Sequence, residues 1–118
     1  MIEIEYYEKN GRYAISAKGH ANYAPEGQDI VCAAVSSLLQ TLGNYLLEHA
    51  QEDDITILEV KFEKGDLNIE AIEDYYINKL EVPYTMTKEG LEDIAEIYPG
   101  YVKISCKSKI DTSEGGSK

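Results

Sequence analysis

Polar and apolar residues alternate along "IEIEYY", which puts Ile2, Ile4 and Tyr6 on one face of a strand. Asn10-Gly11 follows, and both residues tolerate the positive φ that a tight hairpin needs. "RYAISAK" alternates again, with Tyr13, Ile15 and Ala17 together, so the first two strands are predicted to pair antiparallel. His20 then lies just past the end of the second. The period changes at Asp29, a good helix N-cap, and the helix is predicted to run to about Ala50, before the acidic "EDD". "ITILEVKFEKGDLNIEAIED" predicts a second hairpin turning at Lys64-Gly65-Asp66. Leu58, Val60 and Phe62 are expected on one face, and Glu59, Lys61 and Glu63 on the other. Pro83 starts a break, after which Leu91, Ile94, Ala95 and Tyr98 form the stripe of an amphipathic helix. Thr87 is its predicted cap and Pro99-Gly100 its end. "YVKISCK" is the last strand, with Val102, Ile104 and Cys106 expected to face inward. The order ββαββαβ predicts an α+β domain, a largely antiparallel sheet with two helices packed on it.

A chain of 118 residues is long enough to bury one core without disulfides. One domain is expected over residues 1–107, and the turn-forming, polar "SKIDTSEGGSK" at 108–118 is expected to be disordered. The formal charge of −11 argues against direct nucleic-acid binding, which needs a basic face. It favours a basic partner, although acidity also serves solubility. The two cysteines are 74 positions apart and no CxxC or HxxxH spacing occurs, so neither a metal site nor a cofactor is expected. "MIEIEYYEKNGR" lacks the basic and apolar regions of a signal peptide, and a cytoplasmic, reduced compartment is the expectation. Ile30 to Leu47 carries no formal charge over 18 residues, close to the ~20 of a spanning helix. Ser36, Ser37, Gln40, Thr41, Gly43 and Asn44 interrupt it. A helix buried on several sides of a soluble protein or dimer explains it better than a membrane span.

The cysteines differ in setting. Cys106 continues the inward alternation of a strand and is expected in the core as a small hydrophobe. Cys32 is the third residue of the helix that Asp29 caps, where free N–H groups and the helix dipole favour a thiolate. His20 comes from a loop that can fold back over that helix start, so its imidazole is placed to accept the thiol proton and return it to a leaving amine. A core helix with an inert thiol fits the same spacing, and the residues alone leave both readings open. His49, at the far end of the helix among acidic residues, reads as a surface histidine.

The stretch "GHANYAPEGQDIVCAAVSSL" resembles the core motif of the ribosomal-processing cysteine protease family, Prp. The resemblance implies a cytoplasmic cysteine endopeptidase without cofactor. It implies a homodimer that removes the N-terminal extension of a basic ribosomal protein, large-subunit protein L twenty-seven. It assigns the nucleophile to Cys32 and the general base to His20, matches Gly19, Asp29 and Ser36 to other motif positions, and implies a mobile loop between His20 and Cys32. Backbone N–H groups at the helix start, that of Cys32 included, are then candidates for an oxyanion hole. Gly19 lets the chain bend before His20, or lets a substrate approach. Ser36, one turn after Cys32, bonds a substrate or loop backbone, or else its own i−4 carbonyl. Asp29 is expected to act chiefly as a cap. The competing reading is a non-catalytic dimeric binding module for basic ribosomal proteins.

Overall fold

A computed structural model describes residues 1–74 and 76–106 of the protein. The alternating stretches become strands β1 (Ile2–Lys9) and β2 (Arg12–Lys18), joined at Asn10 and Gly11, whose φ values are 50° and 86°. Helix α1 (Ile30–His49) follows, then the hairpin β3 (Ile55–Glu63) and β4 (Asp66–Glu73), helix α2 (Glu81–Ile97) and strand β5 (Val102–Cys106). The class and element order are those the patterning predicts. The sheet has five strands in the order β3-β4-β2-β1-β5. Every pairing is antiparallel except β1 with β5, which run parallel in the register Ile2 to Val102 and Ile4 to Ile104. The Ile2 N–H also donates to the Tyr101 carbonyl (2.9 Å).

The core is one cluster. It takes Ile2, Ile4 and Tyr6 from β1, Tyr13, Ile15 and Ala17 from β2, and Leu67, Ile69 and Ala71 from β4. Val31, Val35, Leu39, Leu42 and Leu46 of α1 pack onto it, as do Tyr84 and Leu91 of α2. Each fully buried aliphatic side chain contributes about 1.5–3 kcal/mol of transfer free energy. Helix α1 is long and apolar enough to cross a membrane, but the apolar residues of its inner face are used in this core. It approaches the sheet closely at Gly43, where a Cβ would lie 2.5 Å from the Phe62 ring. On the face of the sheet away from the core, β2 and β4 carry ion pairs, Arg12 with Glu70 and Lys18 with Asp66.

Four expectations need correction or fall outside this description. In β3 the register shifts between Ile57 and Glu59, so Leu58 is left out of the alternation and is 46% exposed. Val60 and Phe62 keep the side predicted for them, opposite Ile69 and Leu67. Helix α2 starts at Glu81, and Thr87 lies inside it, its hydroxyl donating to the Pro83 carbonyl (2.8 Å). Pro83 is tolerated there because N–H groups of a first turn have no intrahelical acceptor. No side chain caps the first turn of α2; the two residues before it are held from another element, the buried Glu73 carboxylate accepting from the N–H groups of Lys79 (2.6 Å) and Leu80 (3.0 Å). Cys106 is exposed, because β5 is an edge strand and Cys106 its last residue. The tail expected at 108–118 lies outside the described residues.

Candidate active site

The site is assembled by the connection between β2 and α1. At Gly19 the chain turns with φ +97°, and a Cβ there would stand 2.6 Å from the Met1 carbonyl oxygen. Only glycine meets both conditions without displacement. The Gly19 N–H donates to the Gly65 carbonyl at the tip of the β3–β4 hairpin (2.9 Å). His20 is exposed, and its own carbonyl accepts from the Met1 amino group (2.6 Å). Ala21 is buried, and its N–H donates to the Cys32 Sγ (3.3 Å). This bond fixes the sulfur against the loop one residue after His20.

Asp29 ties this loop to the helix. Its Oδ1 accepts from the N–H groups of Val31 and Cys32 (both 3.0 Å), the geometry of an N-cap. Its Oδ2 accepts from Tyr23 (2.9 Å) and Ala24 (3.4 Å) in the loop. Desolvation pushes the carboxyl upward, but the bonds from Cys32, Tyr23, Ala24 and Val31 outweigh it and hold Asp29 below its ordinary 3.8. The cap also corrects the oxyanion-hole expectation. The N–H groups of Val31 and Cys32 are taken by Asp29 Oδ1, and that of Ala33 by the Asp29 carbonyl (3.0 Å). All three already have an acceptor within the protein.

Gly19, His20, Asp29, Cys32 and Ser36 all line one open cleft of about 760 Å³. The structure therefore gathers the five residues that the sequence singled out. Cys32 is half-buried on the first turn of α1, and Ser36 lies one turn further on. His49 is elsewhere, at the end of α1, with Glu48 (3.3 Å) and Glu52 (3.7 Å) beside it. A second concavity of about 580 Å³, lined by Glu5, Arg12, Lys18 and Glu70, offers neither thiol nor imidazole. Among the described residues, no group of three or more His, Cys, Asp or Glu is placed to hold a metal.

Two contributors were not foreseen. Tyr23 sets its ring edge-on to Tyr98 (5.5 Å) and Tyr101 (5.1 Å), which docks the loop on the α2–β5 turn. The hairpin tip supplies Gly65 to the cleft, and Lys64 pairs with Glu26 of the loop. Both contacts join segments far apart in sequence, so no local pattern announces them. The arrangement suits nucleophilic acyl transfer: a supported sulfur and an exposed imidazole line the same open cleft.

Comparison with known proteins adds the following. The profile of a family described as "Cysteine protease Prp" matches residues 1–103. Two structures of an essential ribosomal processing protease Prp from S. aureus are similar to this chain. The one with a covalently linked product peptide has a TM-score of 0.75 at 21% identity, covering 91% of this chain and 100% of that one. The one with a substrate peptide has a TM-score of 0.71 at 20% identity, with the same coverage. At such identities they show the shared fold. SMU.848 from Streptococcus mutans is similar at 29% identity and a TM-score of 0.60, over 91% of this chain and 96% of that one. No curated protein matches.

Proposed function

The chain belongs to the Prp family of cysteine proteases, and from that premise we propose that it is a cytoplasmic endopeptidase whose nucleophile is Cys32 and whose general base is His20. Its proposed substrate is a basic ribosomal protein, large-subunit protein L twenty-seven, from which it removes an N-terminal extension. The observation that carries the reading is the bond from the Ala21 N–H to Cys32 Sγ, made by the neighbour of His20 inside the family match. The S. aureus relatives, a ribosomal processing protease with bound peptides, support a peptide substrate. The acidity of this chain suits a basic one.

In the first half-reaction the Cys32 proton passes to the His20 imidazole and Sγ attacks the scissile carbonyl carbon. The C–S bond forms as the carbonyl oxygen takes up charge. On collapse the C–N bond breaks, and the imidazolium gives its proton to the departing amine. Water then attacks the thioester, His20 takes its proton, the C–S bond breaks and the proton returns to sulfur.

The test is incubation with the extended ribosomal protein, followed by mass measurement. The wild-type chain is expected to remove the extension. Cys32→Ala and His20→Ala are expected to lose at least about 10³-fold in rate, with thermal midpoints close to wild type because both positions are at least partly exposed. Tight binding of the substrate without cleavage by wild type would instead establish the binding-module reading.

A further inference from the structure

The tip of the β3–β4 hairpin stands beside the His20 loop, and one residue there makes two separate contacts with it. We propose that Gly65 is a positioning residue for His20: its bare backbone is the seat that holds the imidazole at the Cys32 cleft. This rests on the reading of His20 as general base.

A Cβ on Gly65 would lie 2.7 Å from His20 Nε2, 3.0 Å from Cε1 and 3.4 Å from Cδ2. The ring edge that carries Nε2 therefore rests directly on the Gly65 backbone. The carbonyl of the same residue accepts the Gly19 N–H (2.9 Å), which fixes the chain one residue before His20. Lys64, next to Gly65 in the turn, pairs with Glu26 further along the loop. Seat, backbone bond and ion pair together make the hairpin tip a template for the segment that carries the base.

Gly65 has φ +72°, so a β-turn alone gives a reason for glycine. The seat is a second, independent demand, because it concerns the absence of a side chain rather than backbone freedom. The two demands separate in their consequences. A left-handed backbone strained by a side chain costs stability. A Cβ placed against His20 displaces the ring, since His20 is exposed and its imidazole gives way before the backbone does. Displacement of a catalytic group by about 1 Å can cost on the order of 10²-fold in rate while the fold persists.

Gly65→Ala and Gly65→Asn distinguish them in the full chain, because both add a Cβ but Asn enters the left-handed region far more readily. With the extended ribosomal protein as substrate, both variants are expected to lose about 10²-fold in kcat/KM, Asn with the smaller fall in thermal midpoint. A pH series of Cys32 alkylation by iodoacetamide, in a Cys106→Ser background, gives a readout apart from cleavage. In both variants alkylation is expected to be slower across the series, by on the order of 10²-fold, because the displaced imidazole no longer stands where it can take the thiol proton. Adding Gly65→Asn to His20→Ala is expected to cause no further loss. Wild-type turnover by Gly65→Asn, an unchanged alkylation rate, or a further loss on the His20→Ala background would each overturn the proposal. Failure of the parent reading is seen separately, as normal cleavage by His20→Ala.

Discussion

The Asp29 carboxylate accepts four backbone N–H groups, two from α1 and two from the loop that carries His20. One side chain thus fixes both the direction of the helix under Cys32 and the path of the loop above it. Because these bonds lower its folded-state pKa, the stability it adds is fully present above its ordinary 3.8 and is lost as pH falls through the lowered value. Thermal melts between about pH 5 and pH 2 should therefore show a decline in wild type that is shallower in Asp29→Asn. The Asn variant retains a carbonyl oxygen for Val31 and Cys32, whereas Asp29→Ala loses the cap and should have the lower midpoint at neutral pH. Equal midpoints for the two variants would refute the capping role. The sequence made the cap legible because an N-cap lies within a few residues of the N–H groups it serves. The loop half was not legible, since the direction of the Tyr23 and Ala24 N–H groups depends on backbone path rather than residue type. Cys106 shows a similar limit: alternation assigns a side of the sheet, not a depth, and the last residue of an edge strand stays exposed.

Among the elements, α2 departs furthest from its sequence pattern. Its apolar stripe was readable, and Leu91 is fully buried. Its start was not, because the acceptor for Lys79 and Leu80 is Glu73, at the end of β4. Glu73 is 6% exposed, so truncating it leaves the buried Leu80 N–H and the partly buried Lys79 N–H without that acceptor. Glu73→Ala is expected to cost about 1–3 kcal/mol in urea unfolding, and Glu73→Gln, which keeps one acceptor oxygen, clearly less. A change of under about 0.5 kcal/mol in the Ala variant, the range of an ordinary surface substitution, would show that these bonds add little. The bulge in β3 was hidden for a related reason. In "ITILEV" the apolar positions change phase between Ile55, Ile57 and Leu58, Val60, and only pairing with β4 decides that Leu58 is the residue left out. The two hairpin turns, by contrast, were fixed by residues suited to positive φ, Asn10-Gly11 and Gly65.

At the scale of the whole molecule, charge and apolar surface are unevenly distributed. The net charge is −11, yet α1 turns outward Ala33, Ser37, Gln40, Thr41 and Asn44, with Ile30 54% and Leu47 59% exposed. Two such acidic molecules repel except where a face carries no charge. A second copy packed along α1 is therefore expected, and sedimentation should give twice the chain mass of 13.2 kDa. A single 13.2 kDa species at low micromolar concentration would exclude it. The parallel pairing of β1 with β5 has a consequence of another kind. Gly19 turns against the Met1 carbonyl, and β1 is held on its outer side by a strand that begins at Val102. The His20 and Cys32 segments leave the ribosome early, but the strand that braces their support is among the last parts of the domain to be synthesised. Loop closure over nearly the whole chain must come first. The cleft is therefore timed by translation: a growing chain carries His20 and Cys32 well before it carries the brace beneath their segments.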